Sequence, residues 1–183
     1  MKLDLSFWTN ASSKRKRIYS IMLIFVLAFI VTVIGSYIPI NHQDAQTISN
    51  SLNSTLNSHK SNGSLTEYIF INNFSICLLM FVPIIGPILG FIILGNTGIA
   101  LGAIASVQGY PAWIELLSLV ITPVFWLEFT AYSTAIAEGI WLTRRLMQRR
   151  WYELKNTAIL IGICAGILIV GAIVEVWLIT AFS

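Results

Sequence analysis

Apolar residues run through this chain in long blocks, not in narrow stripes. Residues 18–40 carry no charge, and at ~1.5 Å of rise per residue a helix of that length crosses a ~30 Å hydrocarbon layer. Residues 68–94 form a second block, broken by Pro83-Ile84-Ile85-Gly86-Pro87. A further break is expected at Gly95-Asn96-Thr97-Gly98, after which 99–107 continues apolar. Gln108-Gly109-Tyr110-Pro111 reads as a turn. Residues 112–142 are apolar apart from Glu115, Glu128 and Glu138, with Pro123 as a break, and 157–181 is the last block. Only 41–66 is polar throughout, rich in Ser, Asn, Thr and Gln with Asp44, Lys60, His42 and His59. Its composition predicts a mobile loop without a core of its own.

Charge gives these blocks a direction. Ten of the eleven Lys and Arg lie in two places: Lys2 with Lys14-Arg15-Lys16-Arg17, and Arg144, Arg145, Arg149, Arg150 with Lys155. Basic residues at span ends mark the cytoplasmic side. The loop 41–66 is then outside and Arg144 inside, so an odd number of crossings joins them, and three fit the apolar length. The expected fold is all-α: a polytopic transmembrane bundle of about five spans, with broken or re-entrant helices in the middle. The turn between spans 2 and 3 falls either at Pro83–Pro87 or at Asn96–Gly98, and either choice leaves one helix shorter than the ~20 residues a crossing needs. Residues 1–17 form a cytoplasmic arm, 18–183 one bundle, 143–156 a cytoplasmic linker, and the C-terminus lies outside the cell membrane. Tyr68, Tyr110, Trp113 and Trp177 fall at the outer interface, and Trp141 and Trp151 at the inner one.

Composition agrees. The chain is 56% hydrophobic and 10% charged, with mean hydropathy +0.79, where soluble domains carry roughly 25% charged residues. The pI near 9.0 follows from the bases at span ends and does not call for nucleic acid as a partner. The stretch after Arg17 is too long for a signal-peptide core of ~7–15 residues and no A-x-A site follows it, so the first span is read as uncleaved. Cys77 and Cys164 sit in apolar runs and read as small buried hydrophobes, neither a disulfide nor a metal pair.

Candidate chemistry is sparse. Small residues recur at a spacing of four: Gly86 and Gly90, Gly98 and Gly102, Gly162 and Gly166, and the series Ala131, Ala135, Gly139. Such stripes let helices approach closely, within the bundle or across a dimer interface. Glu128 lies on the stripe of Ala131 and Ala135 and so faces protein, in the outer half of the membrane. A carboxylate at that depth must be protonated, paired or hydrogen-bonded, and Asn72, Asn73 and Asn96 are the expected partners. This intramembrane polar site, with Pro123 at the helix break, reads either as a structural hydrogen-bond node or as a proton or solute relay. Glu138 is expected to reach toward Arg144 or Arg145. Glu115 and Glu175 are placed near the outer interface. Asn53 and Asn62 head acceptor sequons in the polar segment and are candidate glycosylation sites. No phosphate loop, zinc-ligand set or nucleophile elbow occurs, so no enzyme activity, catalytic residue, cofactor or metal is expected.

The order of motifs in 67–142 resembles the stage II sporulation protein M family of integral membrane proteins. That family pattern has an Asn pair opening a helix, an Asn-Gly followed by Leu-Gly, and Pro-His-Gly-x-x-Glu. Here Asn72-Asn73, Asn96-Thr97-Gly98 with Leu101-Gly102, and Pro123-Val124-Phe125-Trp126-Leu127-Glu128 stand at those places. Thr97 is an insertion, and Val124 and Phe125 replace the His and Gly. The resemblance implies a membrane scaffold; the bacterial namesake looks like a partner of cell-wall hydrolases, and short relatives occur widely in archaea. A short chain bearing sequons looks archaeal. Three functions follow as expectations. The first is a scaffold or assembly protein of the cell envelope acting through other membrane proteins, with a homo-oligomer allowed. The second is an accessory transmembrane subunit of a larger membrane enzyme or respiratory complex. The third is a small channel or transporter using Glu128.

Overall fold

A computed structural model describes residues 12–149 and 151–181; Lys2, Arg150 and most of the arm 1–17 lie outside the described residues. Seven helices are described: α1 Ser13–Ser36, α2 His42–Ser61, α3 Leu65–Met80, α4 Ile85–Gln108, α5 Ala112–Ile121, α6 Pro123–Met147 and α7 Glu153–Ala181. α1, α4 and α7 are each long and apolar enough to cross a membrane, and α5 with α6 forms a fourth candidate, bent by 86° at Thr122-Pro123. α3 has 16 residues, roughly 24 Å of helix, short of a full crossing.

α6 is the centre. Residues 131–139 are buried without interruption, and its neighbours fix the direction of the rest. Arg17 and Ser20 of α1 meet Glu138 and Trp141, while Phe25 and Phe29 meet Phe125, so α1 runs antiparallel to α6. On α7, Thr157 meets Glu138 and Cys164 meets the Ala131 carbonyl, again antiparallel. Asn73, Cys77 and Ile84 pair in order with Glu128, Ala131 and Thr143, so α3 runs parallel to α6. α4 turns back: Gly86 and Gly90 lie by Met80 and Ile136, and Gly98 and Gly102 lie by Thr32 and Ser36. Five helices thus alternate in direction, and the described members of both basic clusters come to one end of the bundle.

The small-residue series on α6 lies inside the bundle. Ala131, Ala135 and Gly139 are all buried, but so is every residue between them. α6 is enclosed on all sides over this stretch, and a Cβ on Gly139 would lie 2.7 Å from the Met80 carbonyl oxygen. Ala135 is fully buried within the main apolar core, in the company of Cys77, Met80 and Ile136. It is a core residue of a surrounded helix. Spacing along the chain marks a stripe; only the fold shows whether the other faces are covered as well.

The break between α3 and α4 is at Phe81–Ile84. Ile84 has φ 68°, costly for a β-branched residue, and its N–H is held by Thr143 Oγ1 at 2.8 Å. Of the two turns the sequence left open, this is the one used. Asn96–Gly98 is not a break, because α4 passes through it unbroken. The glycines there serve close packing instead: a Cβ on Gly98 would lie 2.0 Å from the Thr32 carbonyl oxygen, and one on Gly102 2.4 Å from that of Ser36.

Two expected loops are helical. The polar segment 41–66 contains the 20-residue α2. Asn41 caps it by accepting from the Asp44 N–H at 2.8 Å, Ala45 and Ser49 are buried, and α2 lies against α4. Small side chains give this polar helix a flat face to dock, so tertiary packing overrides composition. The linker 143–156 shrinks to 148–152, since α6 continues to Met147 and α7 starts at Glu153. Leu56 of α2 packs with Leu65, Ile69 and Ala172 in a small cluster at the far end.

Candidate functional site

Two polar clusters are built into the bundle, one toward each end. Toward the far end, one turn and a half into α6, Glu128 Oε1 accepts from Asn73 Nδ2, and Asn72 Nδ2 donates to Asn73 Oδ1 at 3.3 Å. Parallel running of α3 and α6 brings these together. The small side chain of Ala131 lets the two helices close one turn further on, where Cys77 reaches its carbonyl. Ala135, two turns beyond Glu128, belongs to the apolar core and not to this polar site. Glu175 of α7 and Tyr132 share the electrostatic neighbourhood of Glu128. Asn96 is not part of this cluster: it is exposed on α4. Pro123 opens α6 at its first position, five residues before Glu128, and sets the helix's start rather than contacting the carboxylate.

One helical layer on, Cys77 and Cys164 both point their thiols at the Ala131 carbonyl, at 3.9 and 3.7 Å. They are free and buried, as small core residues. Beyond the far end of α4, Tyr110 donates to Glu115, and this bond pushes the tyrosine up to about 12.

The basic end holds the larger cluster, only part of which is legible in the sequence. Glu138 is buried; it accepts from Thr157 Oγ1 at 2.9 Å and lies 3.5 Å from Arg17 Nη2. Its partner is therefore Arg17, from α1, and not Arg144 or Arg145. Glu153 is the hub: Arg17 Nη2 bonds it at 2.8 Å, Arg145 Nη1 bonds its other oxygen, and Asn156 Nδ2 adds a third donor at 3.1 Å. Arg145 also lies over the Trp141 ring, 5.6 Å from its centroid, and Trp141 Nε1 donates to Ser20 at 3.1 Å. This network ties α1, α6 and α7 together. The available signal was arithmetic: Glu138 and Glu153 are the two acids among the bases of 138–155, so each was due a cation. Which cation depends on helix order in space, which spacing along the chain does not give.

The glycine stripes divide. Gly86, Gly90, Gly98, Gly102 and Gly139 each meet a neighbouring helix within the bundle, whereas a methyl group built on Gly162 or Gly166 meets nothing within 4 Å. Asn53 and Asn62 are exposed on α2 and at its end. Among the described residues no group of three or more His, Cys, Asp and Glu is placed to hold a metal ion.

An all-helical bundle whose helices reach membrane-spanning length, with carboxylates satisfied inside it, defines a polytopic membrane protein. The family model described as stage II sporulation protein M matches residues 20–178, and the chain belongs to that family. No curated protein and no solved structure matches it.

Proposed function

We propose that this chain is a non-enzymatic scaffold of the cell membrane, acting through other integral membrane proteins, with the basic end in the cytoplasm and five helices crossing. The observation that carries this reading is the outer face of α7. Gly162 and Gly166 lie open there between the exposed Ile159, Ile163, Ile169 and Ile173. Small residues let helix backbones meet, and within this chain nothing meets them. The half-buried Glu128 and the buried Glu138, by contrast, are used internally: Glu128 by Asn73, Glu138 by Arg17 and Thr157. Such closed pairs support a structural role over a relay, and over a channel through Glu128.

Gentle detergent extraction from native membranes, followed by mass spectrometry of the intact assembly, tests the proposal. Another integral membrane protein should accompany the chain in fixed ratio, and Gly162→Leu with Gly166→Leu should release it. A chain that emerges alone, with no partner and no second copy, would contradict it. A complex carrying redox cofactors would favour the accessory-subunit alternative.

A further inference from the structure

The basic end contains a cavity of about 690 Å³ between α1, α6 and α7. Its lining is graded in the same sense on α1 and α7. On α1 it runs from Lys14 and Arg17 to Ile18 and Ile21, and on α7 from Glu153 and Asn156 to Ile159 and Leu160; α6 adds Arg145, Trp141, Glu138, Ala137 and Thr134. Both series go from charged at the helix end to apolar toward the bundle's middle, over ~10 Å for the seven steps from Lys14 to Ile21. The cavity is amphipathic along its depth, matching a molecule with a polar head and an aliphatic tail. Its volume lies in the ~300–1,000 Å³ range of small-molecule sites.

Charge selects the head. Glu138 and Glu153 are held by Arg17 and Arg145. A guanidinium carries five N–H donors, and Arg17 turns only Nη2 to both carboxylates, so donors remain on both arginines. Lys14 takes no part in any ion pair or hydrogen bond among the described residues. Three cations against two engaged carboxylates leave the cavity positive, and Arg15, Lys16, Arg144 and Lys155 stand on the same helix ends. We infer that this cavity binds one lipid through an anionic, phosphate-bearing headgroup. The phosphate sits on Lys14 and the spare guanidinium donors, and an acyl chain lies along Ile18, Ile21, Ile159 and Leu160. An ammonium headgroup would have to compete with two arginines for the same carboxylates.

Native mass spectrometry of the purified full chain, titrated with phosphatidylglycerol or phosphatidylcholine, reads the number of lipids retained. One phosphatidylglycerol should be held at least threefold more strongly than phosphatidylcholine. Lys14→Gln, which removes an exposed cation, and Ile159→Trp, which fills the apolar wall, should each lose that lipid severalfold. Arg149→Gln, outside the cavity, should keep it. Millimolar glycerol phosphate should not displace it; displacement would overturn the acyl-chain half of the inference and leave free phosphate as the ligand. Equal retention of the two lipids, or equal losses in Lys14→Gln and Arg149→Gln, would overturn it entirely. Because Lys14 is exposed, its variant keeps the test decisive if Ile159→Trp fails to fold.

Discussion

At the residue scale, Glu128 shows what a sequence reveals about a half-buried carboxylate inside a bundle. Its place in register with Ala131 and Ala135 predicts that it faces protein, and Asn73 meets it there. Of three candidate asparagines the sequence could not choose, because the choice depends on where α3 turns into α4. With the turn at Phe81–Ile84, Asn73 is carried to Glu128 and Asn96 to the outside of α4. Glu138 gives the opposite lesson: Arg17 lies 121 residues before it in the chain, and only helix packing joins them. A thermal-stability series in detergent can check the Glu128 assignment. Glu128→Gln keeps the hydrogen bond and should unfold near the parent temperature. Glu128→Leu strands Asn73 and should cost ~1–3 kcal/mol. Asn96→Leu should cost less than Asn73→Leu. Equal stability of the Leu and Glu forms at 128 would remove the structural node.

At the scale of elements, the helices that carry apolar blocks were legible, and so was the Pro123 break, since a proline lacks the N–H that continues a helix. α2 was not. Its polar residues suit a loop, and it is helical because Asn41 caps it and Ala45 and Ser49 fit against α4. The small-residue stripes were legible as contacts but not as to which would find a neighbour, nor that Ala135 would be buried on a helix with no open face. Gly98→Ala should destabilise the chain strongly, because the added methyl would meet the Thr32 carbonyl of α1 at 2.0 Å, backbone against backbone. Gly162→Ala has open space and removes a flexible residue from a helix, so the isolated chain should gain up to about 1 kcal/mol. Melting both variants in the same detergent distinguishes them. A further pair tests the basic end. Arg145→Gln weakens the Glu153 hub and should lower stability by ~1.5–3 kcal/mol, the range for hydrogen bonds to charged groups. Arg149, exposed at the end of α6, should tolerate the same change within about 0.5 kcal/mol.

For the whole molecule, the uneven placement of Lys and Arg pointed to one end of a bundle, and the fold gathers the described members of both clusters there through Arg17, Glu138, Arg145 and Glu153. The number of helices that cross was less legible, since α3 is short and α5 bends away from α6 by 86°. Partners are not legible at all: they act on faces such as that of Gly162 and Gly166, whose complement belongs to another molecule. The membrane orientation proposed here underlies both the scaffold reading and the lipid site, and cysteine labelling tests it most directly. Single cysteines replace Ser58 on α2 and Gln148 after α6, both exposed, in a chain whose Cys77 and Cys164 are changed to Ala. In sealed cells a membrane-impermeant thiol reagent should label position 58 and leave 148 untouched until the membrane is opened. Labelling of position 148 in sealed cells would contradict the proposed orientation.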